Sequence, residues 1–444
     1  MQEGFRQFLE TLATDVKIID KEVDTKHEIA AYIRKSSDLG GPAFLFNHVR
    51  NYPGWRAAGG IFGSRKRILS ALRTTPGELV SRFADAREHR LDPLVVESGP
   101  CKETVWEGAE ADLTRIPIPT HCARDVGPFI TAGLCVARDP STGARGMGVH
   151  RMQVKGPRRL GISISGQRRL SRYLARSEDL GRPLEMAVAV GVDPCLLLAS
   201  QAKVPHDVDK YGIAGSLLGH PVELITCESI DVEVPAHAEL VIEGEVEPGI
   251  REEEGPFGEF TGCYVGVRKL PIFTVKTITM RSEPIFLTVL CGMPVTENHL
   301  MVWPAMSEIV YRAAQMACPE VQGVNLTGNH YYTAVVSIRK RTEGEPRNVI
   351  HAVLGGSLYP KYCIVVDEDI DIYDAKDVEW AIQTRVQPHQ DVVILPPMIG
   401  AVLDPSAPKL WHTSKMGIDA TIPLDVPREK FEKARVPGAE SVTW

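Results

Sequence analysis

The sequence predicts a mixed α/β and α+β protein of several domains: an N-terminal α/β domain, a strand-rich centre and a C-terminal α/β domain. Three observations carry this reading. At 444 residues and 43% hydrophobic content, the chain can bury more than one core. Helix and strand signals alternate in the first and last thirds. Short β-branched runs bounded by Gly and Pro crowd the middle third, as in a barrel or sandwich.

In the first third, Phe5, Phe8, Leu9 and Leu12 fall at helical spacing, and Pro42–Val49 reads as a buried strand. Thr75-Pro76-Gly77-Glu78 reads as a capping box that opens a helix reaching about Arg87. The pattern weakens near Glu107–Pro119, which marks a boundary. Glu239–Val246 and Pro271–Met280 read as strands, and Gln167–Arg176 as a helix. Near the C-terminus, Ser307–Met316 reads as a helix. Tyr362–Ile370, the helical face of Val378, Ala381 and Ile382, and Asp391–Pro397 read as a parallel βαβ unit. The expected domains are 1–112, 113–300 and 301–444.

A net charge of −7 speaks against a nucleic-acid partner. Yet nine Lys or Arg residues lie between Arg145 and Arg176, and no Asp or Glu occurs between Asp139 and Glu178. That window is either a site for an anion or a solvated basic face. The nine cysteines form no close pair, which fits free thiols in a reducing compartment. The polar N-terminus does not read as a signal peptide, and no apolar run approaches the ~20 residues needed to span a bilayer. A cytoplasmic protein without a membrane partner is expected.

No P-loop, Rossmann glycine pattern, zinc spacing or GxSxG elbow is present. Gly59–Arg67 (GGIFGSRKR) can be a phosphate cradle or a plain glycine-rich turn. Glu252–Tyr264 (EEEGPFGEFTGCY) is more informative. Pro256 stiffens it, Gly255 and Gly258 let it turn, and Phe257 packs it down between Glu254 and Glu259. Burial favours the protonated carboxyl that a general acid needs, and a neighbouring Arg opposes that. Two Glu and one Arg can therefore divide the roles of acid and ion-pair partner. A solvated acidic loop is the alternative.

EGPFGEFTGCY resembles the signature loop of the UbiD decarboxylases. Gly146–Gln153 (GMGVHRMQ), Gly191–Pro194, Gly219–Val246, Cys291–His299 (CGMPVTENH), Thr333–Arg341, Tyr362–Asp371 and Lys415–Thr421 resemble family segments in the same order. The resemblance implies a central split β-barrel that binds prenylated FMN, and a Glu–Arg–Glu triad of Arg151, Glu254 and Glu259. It implies reversible, non-oxidative decarboxylation of an aromatic, heteroaromatic or α,β-unsaturated acid through a covalent adduct with the flavin, with Glu259 as proton donor. It also implies a flavin prenyltransferase as cofactor supplier, and a homodimer or higher homo-oligomer. Gly148, Gln167, Arg168 and Lys210 align with flavin-binding positions, and His150, Phe260, Asn298, His299 and Val302 with the substrate pocket. Asn298 suits a heteroaromatic N–H or ring hydroxyl, or else holds its own loop.

The resemblance also implies a divalent metal, such as manganese, held by an Asn, a His and a Glu, with potassium near. The Asn, His and Glu ligand positions fall on Gly146, Arg168 and Lys210. No metal is therefore expected, with Arg168 and Lys210 binding the flavin phosphate directly. Asp209 and His206 are the nearby ligands if the alignment slips. A scaffold subunit of a multi-subunit carboxylase and a plain FMN redox protein are the rival readings.

Overall fold

The computed structural model describes residues 4–164, 166, 168–326, 332–357, 359–409 and 411–442. The chain divides into two compact units, Met1–Glu308 and Ile309–Trp444. The stretches 1–112 and 113–300 thus fall in one unit. Among the described residues, no helix is long and apolar enough to cross a membrane. All nine cysteines are free.

The first unit opens with helix Phe5–Thr11, which buries Phe5 and Phe8 as their spacing predicts. A four-stranded sheet follows, in the order Val16–Ile19, Ala43–Phe46, Arg56–Gly59, Ile285–Leu287. Its last strand comes from far along the chain and runs parallel to Arg56–Gly59. Helix Glu28–Leu39 buries Ile29, Ala30 and Ile33 in one cluster with Phe44 and Phe46.

The capping box is corrected. The helix begins at Leu79, without a side-chain cap, and Pro76 and Gly77 stay in a turn. The Thr75 hydroxyl donates to the Glu78 carboxylate at 2.9 Å. The two side chains satisfy each other, so the reciprocal bonds to backbone N–H groups do not form.

The centre is a nine-stranded antiparallel sheet. Eight strands lie in the order Phe129–Ile130, Met152–Gly156, Arg159–Ile162, Arg268–Met280, Leu240–Glu254, Leu184–Val190, Leu134–Arg138, Arg145–Val149, and Thr104–Glu107 pairs onto Arg268–Met280. The ladder does not close into a hydrogen-bonded barrel. It is nevertheless curled. Met152–Gly156 and Arg145–Val149 lie six strand spacings apart, about 29 Å in a flat sheet. Only His150 and Arg151 join them, and three peptide steps reach at most about 11 Å. The two ends of the sheet therefore meet, and His150–Arg151 bridges the gap between them.

Helix Arg169–Asp179 packs beside this sheet. Helix Trp303–Ala317, longer than the expected Ser307–Met316, carries the chain into the second unit.

The second unit has a five-stranded sheet in the order Val321–Leu326, Thr333–Ile338, Tyr362–Asp367, His412–Ala420, Val392–Ile399. Helix Ala375–Arg385 buries Val378 and Ala381 with Ile364 and Val366. On the opposite face, Ile350 of helix Glu345–Gly356 lies over Gly417. The expected βαβ unit keeps its first strand and helix but not its last strand. Val392–Ile399 runs antiparallel to His412–Ala420 at the sheet edge. Pro396 and Pro397 have no N–H to donate, which suits only an edge. Parallel strands joined through a helix are Thr333–Ile338 and Tyr362–Asp367, through helix Glu345–Gly356, and Tyr362–Asp367 and His412–Ala420, through helix Ala375–Arg385.

Candidate active site

The longest hairpin of the curled sheet delivers two carboxylates. Leu240–Glu254 pairs with Arg268–Met280, and the ladder ends at Glu254 opposite Arg268. Beyond Glu254 the chain turns at Gly255, whose φ of 95° suits a residue without Cβ. It then forms a small hairpin, Phe257–Gly258 against Tyr264–Val265, with Glu259 next in line. Three contacts clamp this loop. Asp125 accepts from Gly258 N at 2.7 Å, Gln153 accepts from Gly255 N at 3.3 Å, and the Phe257 ring lies 4.6 Å from that of Phe129.

Arg151, in the gap between the sheet ends, faces both carboxylates. It donates two bonds to Glu254, at 2.8 and 3.0 Å, and one through Nη1 to Glu259. Its guanidinium lies 5.1 Å from the centre of the Phe257 ring. Glu254 is fully buried and Glu259 nearly so. Burial works against the Arg151 cation, but the bond to Glu254 and the charges of Glu259 and Glu254 outweigh it and raise its pKa. The second Glu259 oxygen accepts from Phe260 N at 2.9 Å. The acidic-loop alternative fails, because both carboxylates are buried and paired.

The expected pocket residues separate into two groups. His150 is buried, and its Nδ1 donates to Ser163 O at 2.9 Å. Burial, aided by the Arg168 charge, pushes its pKa down to about 3, so the ring is neutral with Nε2 as an acceptor. Phe260, Asn298, His299 and Val302 lie together around helix Glu297–Met301. Asn298 Oδ1 accepts from the Thr296 hydroxyl at 2.6 Å, so this oxygen holds its own loop. His299 is buried, with bonds at both ring nitrogens. Val302 follows the helix, half-buried.

The basic window is partly neutralised by acids outside it. Arg145 pairs with Asp209, Arg151 with the two Glu residues, Arg159 with Glu252 and Arg176 with Asp139. Arg168, exposed, donates to Val149 O at 3.0 Å, and Lys210 reaches Met147 O at 3.5 Å and Ser200 O. Both therefore reach the outer sheet strand on either side of Gly148. Burial pushes the Lys210 pKa well down, and the charges of Arg169, Lys203 and Arg168 add to this. A phosphate dianion beside this bare glycine would meet the Arg168 guanidinium, and its charge would favour the protonated form of Lys210.

The positions expected to correspond to the family's metal ligands are otherwise engaged. A Cβ on Gly146 would lie 2.6 Å from the Tyr173 ring and 2.7 Å from Arg169 Cδ, so no Asn fits there. Asp209 caps helix Lys210–Leu218 through Tyr211 N and pairs with Arg145. Among the described residues, no group of three or more His, Cys, Asp or Glu side chains is placed to hold a metal ion. Gln167 lies outside the described residues.

Sequence reasoning missed three residues. Asp125 holds the signature loop but lies 133 positions before Gly258. Arg169 is buried and donates to Val208 O at 2.8 Å and Pro205 O at 2.7 Å, filling the space beside Gly146. Glu297 was passed over beside Asn298. Its carboxylate accepts from Phe62 N at 3.2 Å and Leu290 N at 3.0 Å. The glycine-rich turn at Gly59–Arg67 thus holds a carboxyl group of the protein itself.

Comparison with known proteins identifies the family. Models of the 3-octaprenyl-4-hydroxybenzoate carboxy-lyase match in order: the N-terminal domain at residues 11–87, the Rift-related domain at 94–294 and the C-terminal domain at 300–420. Anhydromevalonate phosphate decarboxylase of Methanothermobacter thermautotrophicus is 36% identical over 434 residues, covering 96% of this chain and 99% of that protein. The UbiD-class enzyme HmfF from Pelotomaculum thermopropionicum, solved in complex with FMN, superposes with a TM-score of 0.94 at 39% identity over 99% of each chain. An evolved dimeric form of it, in complex with prFMN, gives 0.90 at 38% over 99% of this chain and 98% of that one. The 3,4-dihydroxybenzoic acid decarboxylase AroY of Klebsiella pneumoniae gives 0.90 at 28% over 99% of each. With all three domain models matched along its length and decarboxylases as its relatives, the chain belongs to the UbiD family of carboxy-lyases.

Proposed function

We propose that this protein is a prenylated-FMN-dependent enzyme for the reversible, non-oxidative decarboxylation of an aromatic, heteroaromatic or α,β-unsaturated carboxylic acid. The observation that carries the reading is the division of one guanidinium between two buried carboxylates. Glu254 takes the two-pronged bond and serves as the fixed ion-pair partner. Glu259 takes a single arm and delivers the proton to the carbon that has lost CO2. Arg151 holds both carboxylates in place and can orient the substrate carboxylate by a charge-assisted contact. The curled, unclosed sheet, taken as 113–300, is the split barrel, accompanied in the chain by α/β domains at 1–112 and 301–444. When bound, prenylated FMN supplies an electrophilic centre that holds the electrons left by departing CO2.

Lys210 and Arg168 hold the flavin phosphate beside Gly148 without a divalent metal. A flavin prenyltransferase supplies the cofactor, and the enzyme works as a homo-oligomer. HmfF is a precedent for the cofactor, being solved with both FMN and prFMN. A scaffold subunit or a plain FMN redox protein has no need of a paired-carboxylate loop. The test is co-expression with a flavin prenyltransferase, followed by a screen of aromatic, heteroaromatic and acrylic acids for CO2 release. CO2 release that requires the prenylated flavin supports the reading. A correctly loaded, folded protein inert on all three classes sinks it.

A further inference from the structure

His299 was expected in the substrate pocket, but its hydrogen bonds point elsewhere. Thr296 N donates to its Nδ1 at 3.1 Å. A backbone N–H can only donate, so Nδ1 carries no proton. The ring proton is on Nε2, which lies 2.5 Å from Phe260 O. A carbonyl can only accept, so the two bonds agree on one neutral tautomer. The His299 and Phe260 rings also stack, 4.8 Å apart and 19° from parallel.

Phe260 is the residue after Glu259, and its own N–H donates to Glu259 Oε1 at 2.9 Å. One residue thus has its carbonyl held by His299 and its amide on the proposed acid. At the other end, His299 completes the capping box of helix Glu297–Met301. Glu297 pins that helix to backbone N–H groups of Phe62 and Leu290.

We infer that His299 is a positioning residue: its Nε2–H, oriented by the Thr296 capping box, holds the Phe260 carbonyl and so aims the Glu259 carboxyl. The inference rests on the proposed role of Glu259. It assigns His299 to the acid rather than to substrate.

The capping box supplies the test, because its third position accepts Gln or Glu as readily as His. His299→Gln keeps both functions, with Oε1 accepting from Thr296 N and Nε2 donating to Phe260 O. His299→Glu keeps the cap but sets an acceptor against Phe260 O. Hydrogen exchange is followed at the Glu259 and Gly262 amides, which donate to Cys263 O and Glu259 O. These should exchange as in the parent protein in His299→Gln and at least about tenfold faster in His299→Glu, with unchanged exchange in the strand Leu184–Val190. In the loaded enzyme, kcat should fall about tenfold or more in His299→Glu with KM within about twofold, and recover in His299→Gln. Identical behaviour of the two variants, or a change confined to KM, overturns the inference. The exchange measurement needs no turnover. Failure of the reading of Glu259 would appear separately, as full turnover by Glu259→Gln.

Discussion

Arg151 and Glu254 form a two-pronged ion pair across 103 positions of chain, with N···O separations of 2.8 and 3.0 Å and the carboxylate fully buried. Arg151 stands in the two-residue link that joins the ends of the curled sheet, and Glu254 ends the longest strand. The pair therefore ties the gap in the sheet to the tip of its main hairpin.

Removing one side of this pair should be costly. Glu254→Gln leaves a buried guanidinium with Glu259 as its remaining carboxylate partner, and should lower stability by about 3 kcal/mol. Thermal or denaturant unfolding reads this directly. A variant as stable as the parent would mean that solvent reaches Arg151.

Glu259→Gln should act on the chemistry instead. It keeps the shape of the side chain but cannot give up a proton, so decarboxylation should fall about 10²–10⁴-fold. Flavin binding, followed by absorbance, should persist. Equal turnover would remove Glu259 from the mechanism.

Flavin retention should not depend on a metal. Purified protein should keep FMN after exhaustive EDTA treatment, and elemental analysis should find no stoichiometric manganese. Lys210→Met and Arg168→Ala should each weaken FMN binding about 10- to 150-fold, the range for a bond to a charged group. Arg168→Lys should rescue only in part, because an ammonium lacks the planar fork. If chelation strips the flavin and Mn²⁺ restores it, direct cation binding is wrong, and Asp209 and His206 become the ligands to test.

Restoring an Asn at the old ligand position should not restore a metal site. Gly146→Asn drives a Cβ to within 2.6 Å of Tyr173. Overpacking of this kind costs about 1–3 kcal/mol. Calorimetry should find a less stable protein with no gain in Mn²⁺ affinity. A stable variant that binds manganese would contradict the packing around Arg169.

Glu297 should make stability depend on pH. Burial raises its pKa from 4.5 to about 7, against the backbone N–H groups that lower it. The folded state then binds the proton more tightly than the unfolded state. The resulting stabilisation is complete below about pH 4.5 and is lost as pH rises through about 7. Its full size is on the order of 3 kcal/mol. Glu297→Gln cannot titrate, so the Tm of the parent relative to that of the variant should rise as pH falls from 7.5 to 5. Parallel curves would show that Glu297 does not carry the effect.

What the sequence by itself determined is local. Residue spacing located helix Phe5–Thr11 and the strands expected at Glu239–Val246 and Pro271–Met280, which the structure lengthens to Leu240–Glu254 and Arg268–Met280. The run of residues around Gly255 and Gly258 singled out Glu254 and Glu259, because a tight turn with two carboxylates is written in consecutive residues. It failed where partners are distant or local signals compete. The Thr75–Glu78 capping box gave way to a side-chain bond, and Val392–Ile399 lay antiparallel at an edge. Only the tertiary structure brought the sheet ends together at His150–Arg151. It also matched the basic window with acids from elsewhere, filled the space beside Gly146 with Arg169 and set the His299 tautomer. Each of these depends on which strand lies beside which, and so on contacts that no short stretch of sequence contains.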